Sequence, residues 1–202
     1  AMHGLFNRAI QCFLRDTYGQ GLWLDVAQEA RLGFDSFEAM LRYDPALTEA
    51  VLTAAAKLLK RPRETVLEDL GTYLVSHPNV EALRRLLRFG GGSFVEFVHS
   101  LEELPERGRL ALPDLDLPLL ELEELGAGQF RLLVRGEVPG TGHAVVGLLR
   151  AMADDYGALA VLDHAGQAEG AEVVSIILAD QRHSSGRSFD LALAGAAGWM
   201  AP

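Results

Sequence analysis

Cysteine is nearly absent from this chain. Cys12 stands alone among 202 residues, so no intrachain disulfide can form, and such usage fits a reducing cytosol. Basic residues are outnumbered, 18 Lys and Arg against 28 Asp and Glu, for a formal net charge of -10. That balance argues against nucleic acid, whose phosphates need a clustered basic surface, and against anionic membranes. No apolar run approaches the roughly 18 residues of a membrane-spanning helix, and the first residues lack the basic-then-apolar signature of a signal peptide. Ala1 ahead of Met2 reads as a tag remnant, with the native chain expected to begin at Met2. The sequence contains no Walker A phrase, no Gly-x-Gly-x-x-Gly opening a helix after a strand and no Gly-x-Ser-x-Gly elbow. There is no Cys-x-x-Cys and no His pair at i, i+4, so no metal site is expected from spacing. The expectation is a cytoplasmic protein that is not an enzyme.

What is present is enough apolar material for a sizeable core: 49% of residues are hydrophobic, in a length that fits one domain or two intimate subdomains. The first hundred residues carry helical periodicity. Leu5, Ile10, Phe13 and Leu14 share a face of a first helix that ends at Tyr18-Gly19, with Cys12 expected on its buried face. Leu22, Trp23 and Val26 suggest a second helix. Asp35-Ser36-Phe37-Glu38 offers an N-cap before Ala39, Met40 and Leu41. Asp44-Pro45 caps a helix through Leu47, Val51, Leu52, Ala55, Leu58 and Leu59. Pro62 separates it from a helix carrying Val66, Leu67, Leu70 and Leu74, which His77-Pro78 stops. Val80, Leu83, Leu86 and Leu87 form a short helix broken at Gly90-Gly91-Gly92. Ser93 then caps one helix through Phe94, Phe97, Val98, Leu101 and Leu104. The second half reads differently. Leu119–Leu125 and Gln129–Val134 form a hairpin around Gly126-Ala127-Gly128. A helix spans about Gly142 to Tyr156, and Ala158–Leu162 with Glu172–Leu178 make a second hairpin around a loose Gly-rich loop. The expected fold is α+β, a helical lobe at about 2–107 packed on a lobe at about 112–180 with a four-stranded antiparallel sheet and flanking helices. Residues 181–202 form a tail.

Two phrases carry a family resemblance. RFGGGSFVEFVHSLEELPER, from Arg88 to Arg107, and the N-terminal MHGLFNRAIQCFLRDTYGQGLW together resemble the heme-nitric oxide/oxygen-binding domain (H-NOX, HNOB). That domain is the gas sensor of soluble guanylate cyclase and its bacterial relatives. Val145-Val146-Gly147-Leu148-Leu149 is similar to the family's apolar-Gly-apolar phrase, and Leu112 to Pro118 resembles its Pro-rich linker. The resemblance implies a sensory signalling domain, a heme cofactor, and a partner such as a histidine kinase or a cyclic-nucleotide enzyme.

The family's cofactor residues map onto unlike side chains here. The family phrase Leu-Asp-x-Leu-His ends in the axial heme ligand; the matching phrase, Leu101 to Pro105, ends in proline, which has no atom that can bind iron. The family's Tyr-x-Ser-x-Arg donors to the heme propionates fall on Val134, Gly136 and Val138. Arg135 is one step out of register, which on a strand turns a side chain to the other face. The resemblance makes Pro113 the proline that packs on the porphyrin. It places Leu5, Phe94, Val98, Leu101, Leu117, Leu133 and Val145 around the same pocket. His99 lies six residues before Pro105, about 240° around a continuous helix, and is a poor substitute ligand. The expectation is an H-NOX-type sensor that does not bind heme in the family manner and answers to an apolar ligand or another input. Two alternatives stay open: a true heme sensor with a non-standard axial ligand, and a ligand-free interaction module.

Overall fold

A computed structural model describes residues 2–111 and 117–179. The chain begins with a two-residue strand, β1 (Met2–His3), which pairs antiparallel with β2 (Arg42–Tyr43). Between them lie α1 (Gly4–Tyr18) and α2 (Gln20–Glu29). Gly19 separates these helices with φ 98°, a left-handed conformation that glycine adopts at little cost. α3 (Pro45–Leu59) starts on Asp44, whose carboxylate accepts from the Ala46 amide, with proline in the first turn where no intrahelical N–H is needed. α4 (Arg63–Ser76) follows Pro62 and ends at His77-Pro78. α5 (Glu81–Arg88) and α6 (Phe94–His99) flank the glycine run.

Two sequence expectations fail in this lobe. The helix expected after Asp35 does not form. Residues 32–41 instead make a loop held by α1 and α2: Trp23 Nε1 donates to the Asp35 carbonyl at 2.7 Å, Gln11 Oε1 accepts from the Phe37 amide at 2.8 Å, and Arg8 donates to the Phe37 carbonyl at 3.0 Å. Phe37 is fully buried while Met40 is 74% exposed, so one aromatic anchor, not an amphipathic stripe, fixes the segment. The helix expected to run unbroken from Ser93 through Leu104 divides into α6, a 3-10 turn (Leu101–Glu103) and α7 (Leu104–Ala111). Ser100 turns its hydroxyl back to the Phe97 carbonyl at 2.7 Å, a local bond that competes with helix continuation. Pro105 therefore opens a helix instead of ending one, in the first turn where its missing N–H is harmless.

The sheet has strand order β3-β4-β6-β5, all neighbours antiparallel: β3 (Leu119–Gly126), β4 (Gln129–Arg135), β5 (Ala160–Ala168) and β6 (Ala171–Leu178). Both expected hairpins form. The second is tighter than the sequence suggested. Its strands reach to Ala168 and Ala171, and Glu169-Gly170 make the turn with φ 55° and 72°, the geometry that suits a two-residue hairpin. A bulge between His164 and Gln167 shifts the register. α8 (Thr141–Tyr156) lies across one face of the sheet.

Two main cores result. One joins α1–α4 around Phe13, Trp23, Phe37, Leu52 and Leu67. The other packs Phe94, Phe97, Val98 and Leu101 against Phe130, Leu132, Val134, Val146, Leu149, Met152, Val174 and Ile176. α4 and α8 join the two. Their backbones touch at Gly71 and Gly147: a Cβ on Gly71 would fall 2.7 Å from the Leu148 nitrogen, and one on Gly147 2.8 Å from the Glu68 carbonyl carbon. Real Cβ atoms do not approach so closely, so the absence of side chains at these two positions sets the spacing of the lobes. At the other end of α8, Asp155 pairs with both Arg84 and Arg88 of α5, and Arg88 lies over the Tyr156 ring, 4.2 Å from its centroid. No helix among the described residues is long and apolar enough to cross a membrane.

Candidate functional site

The positions expected to serve a cofactor are spread over the fold, and the structure brings only some of them together. Pro105 is buried near the start of α7. Phe94, Val98 and Leu101 are at most 1% exposed and pack in the sheet-side core with Val134; half-buried Val145 packs against that core. Val138 belongs to the other core, that of the helical lobe. Gly136 is exposed in the loop after β4, where a Cβ would meet the Thr141 side chain at 2.7 Å. Leu133 faces the opposite side of the sheet from Val134, in a small cluster with Ala171 and Val173, because alternate residues of a strand point to opposite faces. It does not share a lining with Phe94. Leu5 on α1 and Leu117 before β3 are half-buried, and Pro113 lies outside the described residues. Arg135 turns to the outer face of the sheet and pairs with Glu121 at 3.0 Å.

Bound heme needs an axial donor and partners for two carboxylates. The side chains of Pro105, Val134 and Val138 are hydrocarbon and Gly136 has none, so these four positions offer neither. His99 ends α6, exposed, with its ring edge-on to Phe130 at 5.2 Å. Because the helix breaks at Ser100, its position relative to Pro105 is not the 240° rotation of a continuous helix.

A different group of chemically active side chains converges at the N-terminal end of α8. His164 on β5 and Glu172 on β6 both point to the α8 face, on the strand periodicity that buries Leu162 and Val174. His143, in the first turn of α8, stacks on His164 with ring centroids 3.9 Å apart and planes at 12°. His164 Nδ1 accepts from the Gly166 amide at 3.2 Å, so in this hydrogen-bond network its proton sits on Nε2, which donates to Glu172 Oε1 at 2.9 Å. Glu172 Oε2 accepts from the Gly140 amide at 3.1 Å. Burial and the adjacent His164 hold the His143 imidazole below its ordinary value against the opposing pull of Glu172, Glu64 and Glu68. No spacing rule finds this group, since its members come from a helix and two strands; its sequence signal is only His and Glu on either side of a hairpin turn.

A second polar network joins α1 to the end of α4. Asp16 accepts from the Tyr73 hydroxyl at 2.6 Å, Asn79 at 3.0 Å and Arg15 at 3.2 Å. Burial opposes its charge, but these donors outweigh burial and keep the carboxyl below its usual range. Burial and the Asp16 carboxylate in turn push the Tyr73 phenol up. The network borders a surface groove lined in part by Phe13, Tyr18, Arg61, Tyr73 and His77.

Residues 3–162 match the haem-NO-binding (HNOB) family. Among curated proteins, the soluble guanylate cyclase gcy-31 of Caenorhabditis elegans is 24% identical over 149 residues, covering 74% of this chain and 21% of its own length. The guanylate cyclase soluble subunit beta-2 of Rattus norvegicus is 28% identical over 93 residues, 46% of this chain and 14% of its own. The chain thus spans about a fifth or less of these relatives. Among solved structures, the Fe(II) unliganded H-NOX protein mutant A71G from K. algicida superposes with a TM-score of 0.75 at 18% identity, over 91% of this chain and 100% of that one. The S. oneidensis H-NOX protein in its Fe(II)NO ligation state gives 0.71 at 16% identity, over 89% and 100%.

Proposed function

We propose that this chain, which belongs to the haem-NO-binding family, is a non-catalytic sensor domain that regulates a signalling enzyme and does not hold heme in the family manner. One observation carries the reading: Pro105, Val134, Gly136 and Val138, which stand where the family resemblance puts the axial ligand and the propionate donors, offer no donor side chain. Three of the four are buried in packed surroundings. Losses at both ends of one site point to a scaffold that has left the iron chemistry behind. The partner is a cyclic-nucleotide enzyme, the class to which the guanylate cyclase relatives belong, or a histidine kinase, as the family resemblance implies, met in the cytoplasm. The input is an apolar ligand or a contact that acts on the α4–α8 joint. Phe94, Val98 and Leu101 already pack against Val134 and Leu149, so a ligand among them has to open the core. An unfilled cavity would cost about 24 cal/mol per Å³, which favours this repacking over an empty pocket.

The test is an absorption spectrum of protein expressed with excess heme precursor, before and after nitric oxide, beside a His99→Ala variant. The expected result is folded protein with no stoichiometric Soret band. A stoichiometric band that shifts with nitric oxide would overturn the proposal, and its loss in the variant would name His99 as the ligand.

A further inference from the structure

We propose that His143, His164 and Glu172 form a binding site for a first-row divalent cation of the zinc type. One ligand atom from each of the three lies within 4.8 Å of the others, and all three residues are half-buried. Two imidazoles and a carboxylate are the donor set of open zinc sites, which use three protein ligands and leave a fourth position for water or a further ligand. The same set suits nickel, cobalt and copper, and disfavours magnesium and calcium, which take oxygen.

The surroundings are those of a built site. Gly142 lets His164 close on the helix end: a Cβ there would fall 2.9 Å from His164 Nε2. The Gly140 amide fixes the far oxygen of Glu172, the kind of outer contact that orients a ligating carboxylate. The positive end of α8 works against a cation, and Glu172, Glu64 and Glu68, whose charges all reach His143, work for it. Binding needs two local changes. A cation at His164 Nε2 replaces the proton now given to Glu172; the ring then carries its proton on Nδ1, and the long contact from the Gly166 amide is given up. The two stacked rings also have to tilt apart, because one ion cannot lie in the planes of both while they are parallel. The side-chain torsions of the two half-buried histidines supply that freedom once the Gly166 contact to His164 is released. A bound cation would tie the β5–β6 hairpin to the start of α8, the helix whose packing on α4 sets the lobe spacing.

The experiment is a titration of the full chain, free of any affinity tag, with zinc(II) by calorimetry at pH 7.5, repeated for His143→Ala, His164→Ala, Glu172→Gln and a His99→Ala control. Cobalt(II) is added separately to read its visible d–d bands. The expected result is one site tighter than about 10 μM, at least tenfold weaker in each of the three variants, unchanged in the control, with cobalt bands lost in the same three. Glu172→Gln keeps an acceptor for Gly140, so that variant stays folded and isolates the ligand. Absence of such a site in folded wild-type protein, or binding undiminished in His164→Ala and Glu172→Gln, would overturn the proposal. Neither outcome touches the heme reading, which rests on other residues.

Discussion

Gly147 offers the sharpest test of how the lobes are joined. Its missing side chain lets α8 meet α4 backbone to backbone, with the site of a Cβ 2.8 Å from the Glu68 carbonyl carbon. Gly147→Ala forces the two helices apart until that distance exceeds about 3.4 Å, and the neighbouring oxygen demands more. A gap of 0.5–1 Å already forfeits about a quarter to a half of each dispersion contact. The contacts at stake are those of Val75 on α4 with the core it shares with Val146 and Leu149 of α8, all at most 2% exposed, and those of Ala144 on α8 with the α1–α4 core. Overpacking of this kind costs about 3 kcal/mol, and alanine returns about 1 kcal/mol of helix propensity. The net expectation is a loss of about 2 kcal/mol, or a Tm lower by about 4–8 °C. Gly21→Ala is the control: it lies in the first turn of α2 with nothing within 4 Å of a Cβ, and with no clash and a small propensity gain it should be equal to or more stable than wild type. The assay is thermal unfolding for the Tm and urea unfolding for the free energy and m-value, both followed by circular dichroism and tryptophan fluorescence. A Gly147→Ala protein as stable as wild type, with an unchanged m-value, would refute the claim that these glycines set the helix spacing.

Three further outcomes are expected. Asp16→Asn destabilises at pH 7 by about 1–2 kcal/mol, because an ionised acceptor with several donors is lost. Since the folded carboxyl titrates below its unfolded value, that contribution is complete above the unfolded value and is lost as pH falls through the folded one; the gap between the two proteins' unfolding curves should therefore narrow steadily as the pH is lowered from 7 into the acid range. Ser93→Ala removes the cap that accepts from the Glu96 amide at 3.2 Å and costs about 1 kcal/mol, read as a lower urea midpoint. Val138→Arg, which restores the residue type the family resemblance places there, puts a charge where valine is 4% exposed in the helical core; the expected cost exceeds about 3 kcal/mol, read by the same unfolding curves, and a neutral result would mean that the position opens to solvent or to a ligand.

Much of the architecture was legible because it rests on local rules. Asp44-Pro45, Pro62, His77-Pro78 and Gly19 end or begin helices through backbone chemistry that acts within a turn, and the alternation of Gln129–Val134 marks a half-buried strand wherever that strand lies. The errors arose where a distant contact overrode the local pattern. Asp35-Ser36-Phe37-Glu38 has the look of a cap, but Trp23 and Gln11 hold its backbone as a loop. The apolar spacing from Phe94 to Leu104 suits one helix, but Ser100 and Pro105 break it into three pieces, which undid the rotation argument for His99. The candidate site divides in the same way. That Pro105, Val134, Gly136 and Val138 carry no donor side chain is chemistry, written in the residues themselves. That Val134 and Val138 belong to different cores, that Leu133 turns away from both, and that His143 meets His164 and Glu172 were decided only when the sheet and α8 came together. Sequence fixes what each side chain can do and how its own turn or strand is shaped; which side chains meet depends on register, bulges and helix spacing, and those are set by packing across the whole chain.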